Sequence, residues 1–434
     1  MASWQEATWS SDIASGLPRA DRASGTYHRY VPDVLLGATL KLDAVLDRQI
    51  AEAERAVHRI SDNSQDLAAV SRFLLRSEAI ASSQIEGIAP TVKQIAFAEL
   101  ASEEETPKVS ELAKLVANNM TAVEKARSDL VRVDSITPEQ LIELQEQLLT
   151  DNPELGGIRT VQNWIGGSAY TPIGADFVPP APEMVPALMD DLVAYMNGAA
   201  HSPIVQAALV HAQFETIHPF ADGNGRVGRA LIQTILTRRG LTPSAVLPIS
   251  MVLSTLRHAY LEGLNAYRHS GPLDSPTYHQ ARMAWITVFT DAVLQAAEQA
   301  EIVKGQLQDL REGWNTQLER WRKEEGFTRA LRADSASAQI LKDLPSPPIL
   351  SVKTVERIHQ ISTPAANKAL GELAASGILS RSKRGHTVFY HCDQLLDLVT
   401  LAERQLASTR FDTRVSKPNR PVPAKPQNRP LELL

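Results

Sequence analysis

One string constrains this chain more than any other: His218-Pro219-Phe220-Ala221-Asp222-Gly223-Asn224-Gly225-Arg226-Val227-Gly228-Arg229. It joins two helical stretches. Upstream, Ser202-Pro203 is an N-cap and first-turn pair, and Val205, Leu209, Ala212 and Phe214 form an apolar stripe. Downstream, a helix is expected from about Val227 to Arg239, with Gly240 as its stop. Gly223 and Gly225 permit unusual backbone angles and close approach. The amides that follow lie at a helix N-terminus, where the dipole is positive, so the backbone itself makes an anion site. Arg226 and Arg229, three apart, add guanidinium groups on one helix face. The build suits a polyphosphate. Asp222 is a hard oxygen ligand suited to Mg²⁺ bridging phosphate oxygens. His218 is the one side chain here whose ordinary pKa lets it take a proton near neutral pH. A triphosphate, a metal, a base and no protein nucleophile imply direct transfer to an incoming hydroxyl, by positioning and charge neutralisation. An isolated Asn-Gly is usually a turn; the length of the whole string argues for the site.

The rest of the chain is organised around that junction. It has 434 residues, enough for two or three domains, and 43% hydrophobic and 22% charged residues, ordinary for a globular protein. The net charge of −6 argues against a general polyanion binder but leaves room for local basic patches. A single cysteine, Cys392, cannot form an internal disulfide or a multi-thiolate metal site. Met1 to Leu17 lacks the basic and apolar regions of a signal peptide, and no uncharged apolar run reaches spanning length, so a cytoplasmic, non-membrane protein is expected. Helical periodicity runs from about Leu40 to Ile80, resumes at Leu112, and reopens at Thr137. Gly156 to Pro182, rich in Gly and Pro, reads as a loop with a short β-hairpin. His279 to about Lys323 reads as a long amphipathic helix or helix pair. Helix, turn, helix and a basic hairpin follow from Ser337, and the chain from Phe411 onward is Pro-rich, basic and expected to be disordered. The expected division is 1–110, an N-terminal helical region; 111–300, a catalytic core; 301–336, a connecting helix; 337–400, a winged helix-turn-helix-like unit; and 401–434, a tail.

With these residues in view, the string resembles the Fic motif, His-Pro-Phe-x-(Asp/Glu)-Gly-Asn-Gly-Arg-x-x-Arg, at every fixed position from His218 to Arg229. The resemblance covers about Tyr27 to Leu294. It implies roles: His218 deprotonates the acceptor hydroxyl, Asp222 holds Mg²⁺, Gly223, Asn224 and Gly225 cradle the α- and β-phosphates with Arg226, and Arg229 reaches the γ-phosphate. Tyr260 stands where the family places an aromatic against adenine. Gly156-Gly157-Ile158-Arg159, Asn163 to Gly167 and Phe177 to Pro180 resemble the family's flap, a hairpin that registers the target peptide by strand addition; Gly174, Ala175, Asp176 and Phe177 are its candidate contact residues. Ser82-Ser83-Gln84-Ile85-Glu86-Gly87 resembles the inhibitory motif (Ser/Thr)-x-x-x-Glu-Gly, so Ser82, Glu86 and Gly87 become candidates for a brake in which Glu86 pairs bidentately with Arg229 and misplaces the nucleotide.

The fold class that follows is mainly α: a Fic-type helical core with a β-hairpin flap, plus a C-terminal winged helix-turn-helix. The leading function implied is transfer of AMP from ATP, with Mg²⁺, to a Ser, Thr or Tyr hydroxyl of a target protein, braked by Glu86. The alternatives are removal of AMP, use of another nucleotide, and a nucleotide-sensing DNA-bound regulator. Self-modification and a homodimer are compatible with the leading reading. DNA binding through Asn367, Lys368 and a wing of Arg381, Lys383 and Arg384 is not favoured, because the second helix of that unit offers few base-reading side chains.

Overall fold

The computed structural model describes residues 1–12, 16–61, 67–104, 109–244 and 246–410. The chain opens not with a helix but with an antiparallel hairpin, β1 (Ser3–Trp9) and β2 (Gly25–Val31), in the register Trp4 opposite Tyr30. The expectation of a wholly helical N-terminal region is corrected here. The signal lay in the alternation Trp4, Glu6, Thr8 against Gln5, Ala7, Trp9, whose burial alternates residue by residue along β1.

Helices dominate from there. α1 (Ala44–Ser61), α2 (Leu67–Ile85), α3 (Val92–Ala101), α4 (Glu111–Arg132) and α5 (Pro138–Leu148) lead to α6 (Val185–Asn197), α7 (Pro203–Ile217), α8 (Asn224–Arg238), α9 (Ile249–Thr255) and α10 (Arg257–Tyr267). Their ends follow local rules. Thr91 and Gln94 close a capping box on α3, as do Thr137 and Gln140 on α5, where Pro138 takes the first turn. α7 is the central helix: every residue from Ile204 to Ile217 is buried, polar ones included, so it is enclosed on all sides rather than striped. It packs against α8, and α8 packs against α4.

α11 (Pro276–Glu324) is a single helix of 49 residues, about 70 Å long at 1.5 Å per residue. It runs unbroken through the boundary expected at 300, so the connecting helix and the last helix of the core are one element. Its N-terminal half seats Trp285, fully buried, with Nε1 donating to the carbonyl of Ala208 at 2.7 Å. Its C-terminal half carries Trp314 and Leu318 into the same continuous core.

Then come α12 (Ala336–Asp343), β3 (Ile349–Leu350), α13 (Val352–His359), α14 (Thr363–Ala375), β4 (Ser380–Arg384), β5 (Thr387–His391) and α15 (Asp393–Arg410). The sheet order is β3-β5-β4, all antiparallel, so two helices and a turn are followed by a hairpin with a short third strand. α15 corrects the tail expected from 401, since residues 401–410 are its last turns; the part of that tail from 411 to 434 lies outside the described residues. Among the described residues no helix is long and apolar enough to cross a membrane.

The flap is also corrected. Between Gly156 and Pro182 no ladder forms; a lone bridge joins Ile165 to Phe177, through Ile165 N to Phe177 O (2.8 Å) and Phe177 N to Ile165 O (3.2 Å). Pro172, Pro179 and Pro180 lack the amides a ladder needs, and Gly166, Gly167 and Gly174 sit at positive φ. The loop is instead braced by the N-terminal hairpin. Tyr30 N donates to Val178 O at 2.9 Å, the Trp9 ring meets Trp164 edge-on at 5.4 Å, and Trp4 and Tyr30 surround Phe177.

Truncating the buried indole that ties α11 to α7 tests this packing. Trp285→Ala should lower unfolding free energy by about 3–5 kcal/mol, measured by urea denaturation with an unchanged m-value.

Candidate active site

α7 ends at Ile217, and its next residue, His218, turns left-handed at φ 48°. A non-glycine residue holds that conformation only when its surroundings over-determine it. Arg159 supplies much of that restraint. Its buried guanidinium donates Nε to the carbonyl of His218 (2.9 Å) and Nη2 to those of Pro180 (2.5 Å) and Ile217 (3.4 Å), while its backbone N–H binds Pro219 O (2.9 Å). Asn163 holds the ring. Its Nδ2 lies 2.9 Å from His218 Nδ1 and also donates to Phe220 O at 3.0 Å. An amide N–H on Nδ1 makes that nitrogen an acceptor. Burial, reinforced by the charge of Arg159, pushes the imidazole pKa down to about 3, against the opposing pull of Glu86. The ring is therefore neutral across the physiological range.

The loop after His218 is closed by its own asparagine. Asn224 Oδ1 accepts from Phe220 N (2.9 Å) and Nδ2 donates to Phe220 O (2.8 Å). The side chain of Asn224 is thus used inside the loop; what it offers outward is its backbone. Gly223 at φ 85° is the N-cap of α8, and Gln145 ties the loop from below through the carbonyl of Asp222 (3.1 Å). The first amides of α8 have no partner within the helix. Arg226, buried to 3% exposure, leaves Nη1 without a hydrogen-bond partner and touches Asp222 only at 3.4 Å. A buried guanidinium with a spare donor beside a helix N-terminus is fitted to an anion.

Asp222 is half exposed, with Oδ1 taken by Gly223 N at 2.6 Å and Oδ2 near Arg226. Among the described residues no group of three or more His, Cys, Asp or Glu could hold a metal on protein ligands alone. One outward carboxylate fits a cation that brings most of its oxygens from water and phosphate, as Mg²⁺ does.

Arg229 is occupied from within the chain. Its Nε donates to Ser82 Oγ (2.9 Å), and its Nη2 to Ser82 O (2.9 Å) and Glu86 Oε1 (2.7 Å). Glu86 therefore uses one oxygen, not two, and Ser82 accepts two further hydrogen bonds; the expected bidentate pair is corrected to a shared one. Burial raises the Glu86 pKa, but Arg229, with Arg226 and His218 behind it, wins and holds the carboxyl below its ordinary range. Gly225 lets it approach: a Cβ there would stand 2.0 Å from Glu86 Oε1. Gly87, at φ 81°, ends the turn that aims Glu86, with its N–H on Gln84 O at 2.9 Å.

His218, Asp222, Gly223, Asn224, Gly225, Arg226 and Arg229 thus come together in one site at the junction of α7 and α8, with Ser82 buried against Arg229 and the half-exposed Glu86 beside it. Tyr260 does not line it openly. The ring is 2% exposed, stacked on His211, with its hydroxyl 2.9 Å from His211 Nε2, and it supports the floor beneath Arg229. In the flap, Phe177 is buried under the Arg268 guanidinium at 3.4 Å, while Gly174, Ala175 and Asp176 form the turn before it; the exposed apolar side chains of this loop are Val161, Ile165 and Tyr170. Arg159 and Asn163 were legible only as members of a Gly-rich loop. A long cation and an amide in a segment otherwise built of Gly, Pro and apolar residues are the signal that marks them. Arg268 carried none.

Residues 47–128 match the Fic/DOC family N-terminal model and residues 135–236 the Fic/DOC family model. Protein adenylyltransferase fic-1 of Caenorhabditis elegans is 34% identical over 121 residues, 27% of this chain and 22% of that protein. A protein of Aquifex aeolicus named as a probable protein adenylyltransferase is 41% identical over 87 residues, 20% of this chain and 27% of that one. The chain therefore spans about a quarter of the length of these curated relatives. Among solved structures, a Fic family protein from Desulfovibrio desulfuricans covers 81% of this chain and 97% of its own at 20% identity and a TM-score of 0.48. Residues 47–128 and 135–236 are thus Fic/DOC family segments, and the whole string from His218 to Arg229 lies within the second.

Proposed function

We propose that this protein transfers AMP from ATP to a hydroxyl side chain of a target protein and that Glu86 restrains it. The observation that carries this reading is the pairing of an anion cradle with a neutral base: Arg226 keeps a spare buried donor at the N-terminus of α8, and His218 stands uncharged beside it. The names of the relatives support the same reaction class.

In the proposed reaction the phosphates of ATP lie on the first turn of α8, with Arg226 and the backbone of Gly223 to Gly225 neutralising them. Asp222 would hold Mg²⁺, which supplies charge neutralisation to the phosphate oxygens. The acceptor oxygen attacks the α-phosphorus, its proton passes to His218, and the bond from the α-phosphorus to the β-bridging oxygen breaks, releasing pyrophosphate. His218 needs its free lone pair toward the acceptor. Asn163 donating to Nδ1 places the ring proton on Nε2, so the reactive state requires the amide to turn and offer Oδ1, which is buried and unpartnered as found. Arg229 is the proposed γ-phosphate ligand, and Glu86 stands in its place. A phosphate displaced by about an ångström costs on the order of a hundredfold in rate. The exposed Val161, Ile165 and Tyr170 are the proposed contact for the target chain.

Three measurements test this. Intact-protein mass after incubation with ATP and Mg²⁺ should show AMP on Glu86→Gly at least about tenfold faster than on the parent, and none on Glu86→Gly with His218→Ala. Absence of protein-bound AMP both on Glu86→Gly and in a lysate treated with it would sink the transferase reading and leave AMP removal or another nucleotide.

The lowered pKa of His218 sets a pH dependence. The neutral form is the base, and it persists far below the ordinary histidine range, so kcat/KM of Glu86→Gly should stay flat from pH 8 to about 5.5. A fall centred near 6.5 would contradict it.

Asn163→Asp replaces a donor by an acceptor anion beside Nδ1, which should raise the His218 pKa by about 1–3 units, read from its ring resonances by NMR.

A further inference from the structure

α2 is gripped on two stripes. Glu78, Ser82 and Glu86 recur every four residues and face the catalytic unit. Glu78, fully buried, accepts from Ser250 N and Oγ (both 2.7 Å) of α9, while Ser82 and Glu86 hold Arg229. Arg76 and Gln84, eight residues apart, share another face. Arg76, 1% exposed, forms a two-pronged pair with Glu99 of α3 (2.7 and 2.9 Å) and donates Nη2 to Ser346 O at 2.8 Å, in the turn between α12 and β3. Gln84, two residues before Glu86, donates to Glu403 of α15 at 3.3 Å. Every partner on this second face, apart from Glu99 of α3, belongs to the C-terminal module.

α3, the next element after Glu86, is sealed to the same module. Phe97 meets Phe389 of β5 edge-on at 5.3 Å, and the guanidinium of Arg384 lies 3.5 Å over the Phe97 ring. Around them Ala96, Leu100, Ile349 and Leu396 complete an apolar cluster separate from the main core. Arg384 is one of the wing cations of the DNA-binding alternative that the sequence did not favour; here it lies over an aromatic ring of the chain's own N-terminal segment, and Arg381 lies over Tyr390. Through Arg384 the wing is directed at α3.

We propose that the C-terminal module, residues 336–406, is a clamp on the inhibitory helix: docked on α2 and α3 it keeps Glu86 at Arg229, and undocking releases Glu86. This rests on the reading of Glu86 given above. A shift of the C-terminal end of α2 would draw Glu86 away from Arg229, and Gln84 and Arg76 tie that end and the middle of the helix to the module. A ligand or partner that pulls the module from α3 would act on the cleft without touching it, a coupling between two sites of the usual five- to roughly hundredfold size.

The test uses the full chain with two pairs of substitutions, Arg76→Gln with Gln84→Ala on the helix side, and Phe389→Ala with Arg384→Ser on the module side. Each is made in the parent and in Glu86→Gly, and thermal unfolding shows which pair retains the fold. Two quantities are read: hydrogen exchange of peptides spanning residues 67–87, and the rate of AMP incorporation by intact mass. The clamp predicts faster exchange across α2, incorporation at least about fivefold above the parent, and no further gain on top of Glu86→Gly. Unchanged exchange and rate in a folded pair would overturn it, as would a gain that adds to that of Glu86→Gly, since the pairs would then act elsewhere. If Glu86→Gly is itself inert, the reading of Glu86 fails, and exchange across α2 alone decides: faster exchange keeps the clamp, unchanged exchange removes it.

Discussion

Arg229 is a buried cation, 2% exposed, on the second turn of α8. A charge in that position must be matched, because an unpaired buried guanidinium is far more costly than the pair is beneficial. Much of the molecule is arranged around meeting that demand. α2 comes from a distant part of the chain to supply Ser82 and Glu86, Gly225 gives up its side chain so that Glu86 can reach, and the α2–α4 packing, with Asn119 on Ala79 O and Ser83 Oγ, fixes the helix that delivers them. A polyphosphate would meet the same demand. The site is therefore complete in two ways, one internal and one with ligand, and the choice between them is the proposed control.

The neighbouring histidine obeys a different logic. It is not paired with a carboxylate and so is not made more basic; burial and Arg159 push it the other way. On the proposed reading, a base with a low pKa is a weak proton acceptor in the ground state, but an incoming triphosphate would bring negative charge beside it and favour the protonated ring as the reaction proceeds. The left-handed backbone at His218, held by three donors of Arg159, keeps the ring at the junction of flap and cradle. The N-terminal hairpin braces that flap through Tyr30 and Val178.

The string from His218 to Arg229 was legible because its chemistry is local: glycines, arginines and a helix start lie within twelve consecutive positions. The internal partners of Arg229, Ser82 and Glu86, were legible for the same reason. The three helices α12, α13 and α14 were read to within a few residues, because Ser335, Ser351 and Ser362 announce their starts and Gly377 ends the last one, whereas the two-residue β3 between them was not. What escaped was long-range. That Tyr260 turns its hydroxyl to His211 depends on α7 and α10 meeting, and the bracing of the flap loop depends on β1–β2 lying against it. α15 was hidden because its helical pattern abuts the Pro-rich stretch and was absorbed into it. The division at 300 had no physical basis, since Ala297, Ala300 and Val303 continue one buried stripe of α11 without a break.

The missing side chain at Gly225 has one more consequence. Glu86 is tethered, so it behaves toward Arg229 as a ligand at fixed effective concentration, on the order of millimolar or above for a short link and higher for a rigid one. On the proposed reading, ATP does not meet a blocked door but a resident competitor that never diffuses away. Raising nucleotide concentration over its physiological span would shift that contest only modestly, whereas loosening the segment that carries Glu86 would lower the competitor's concentration directly. Such an enzyme would be deaf to energy charge and attentive to whatever bends α2.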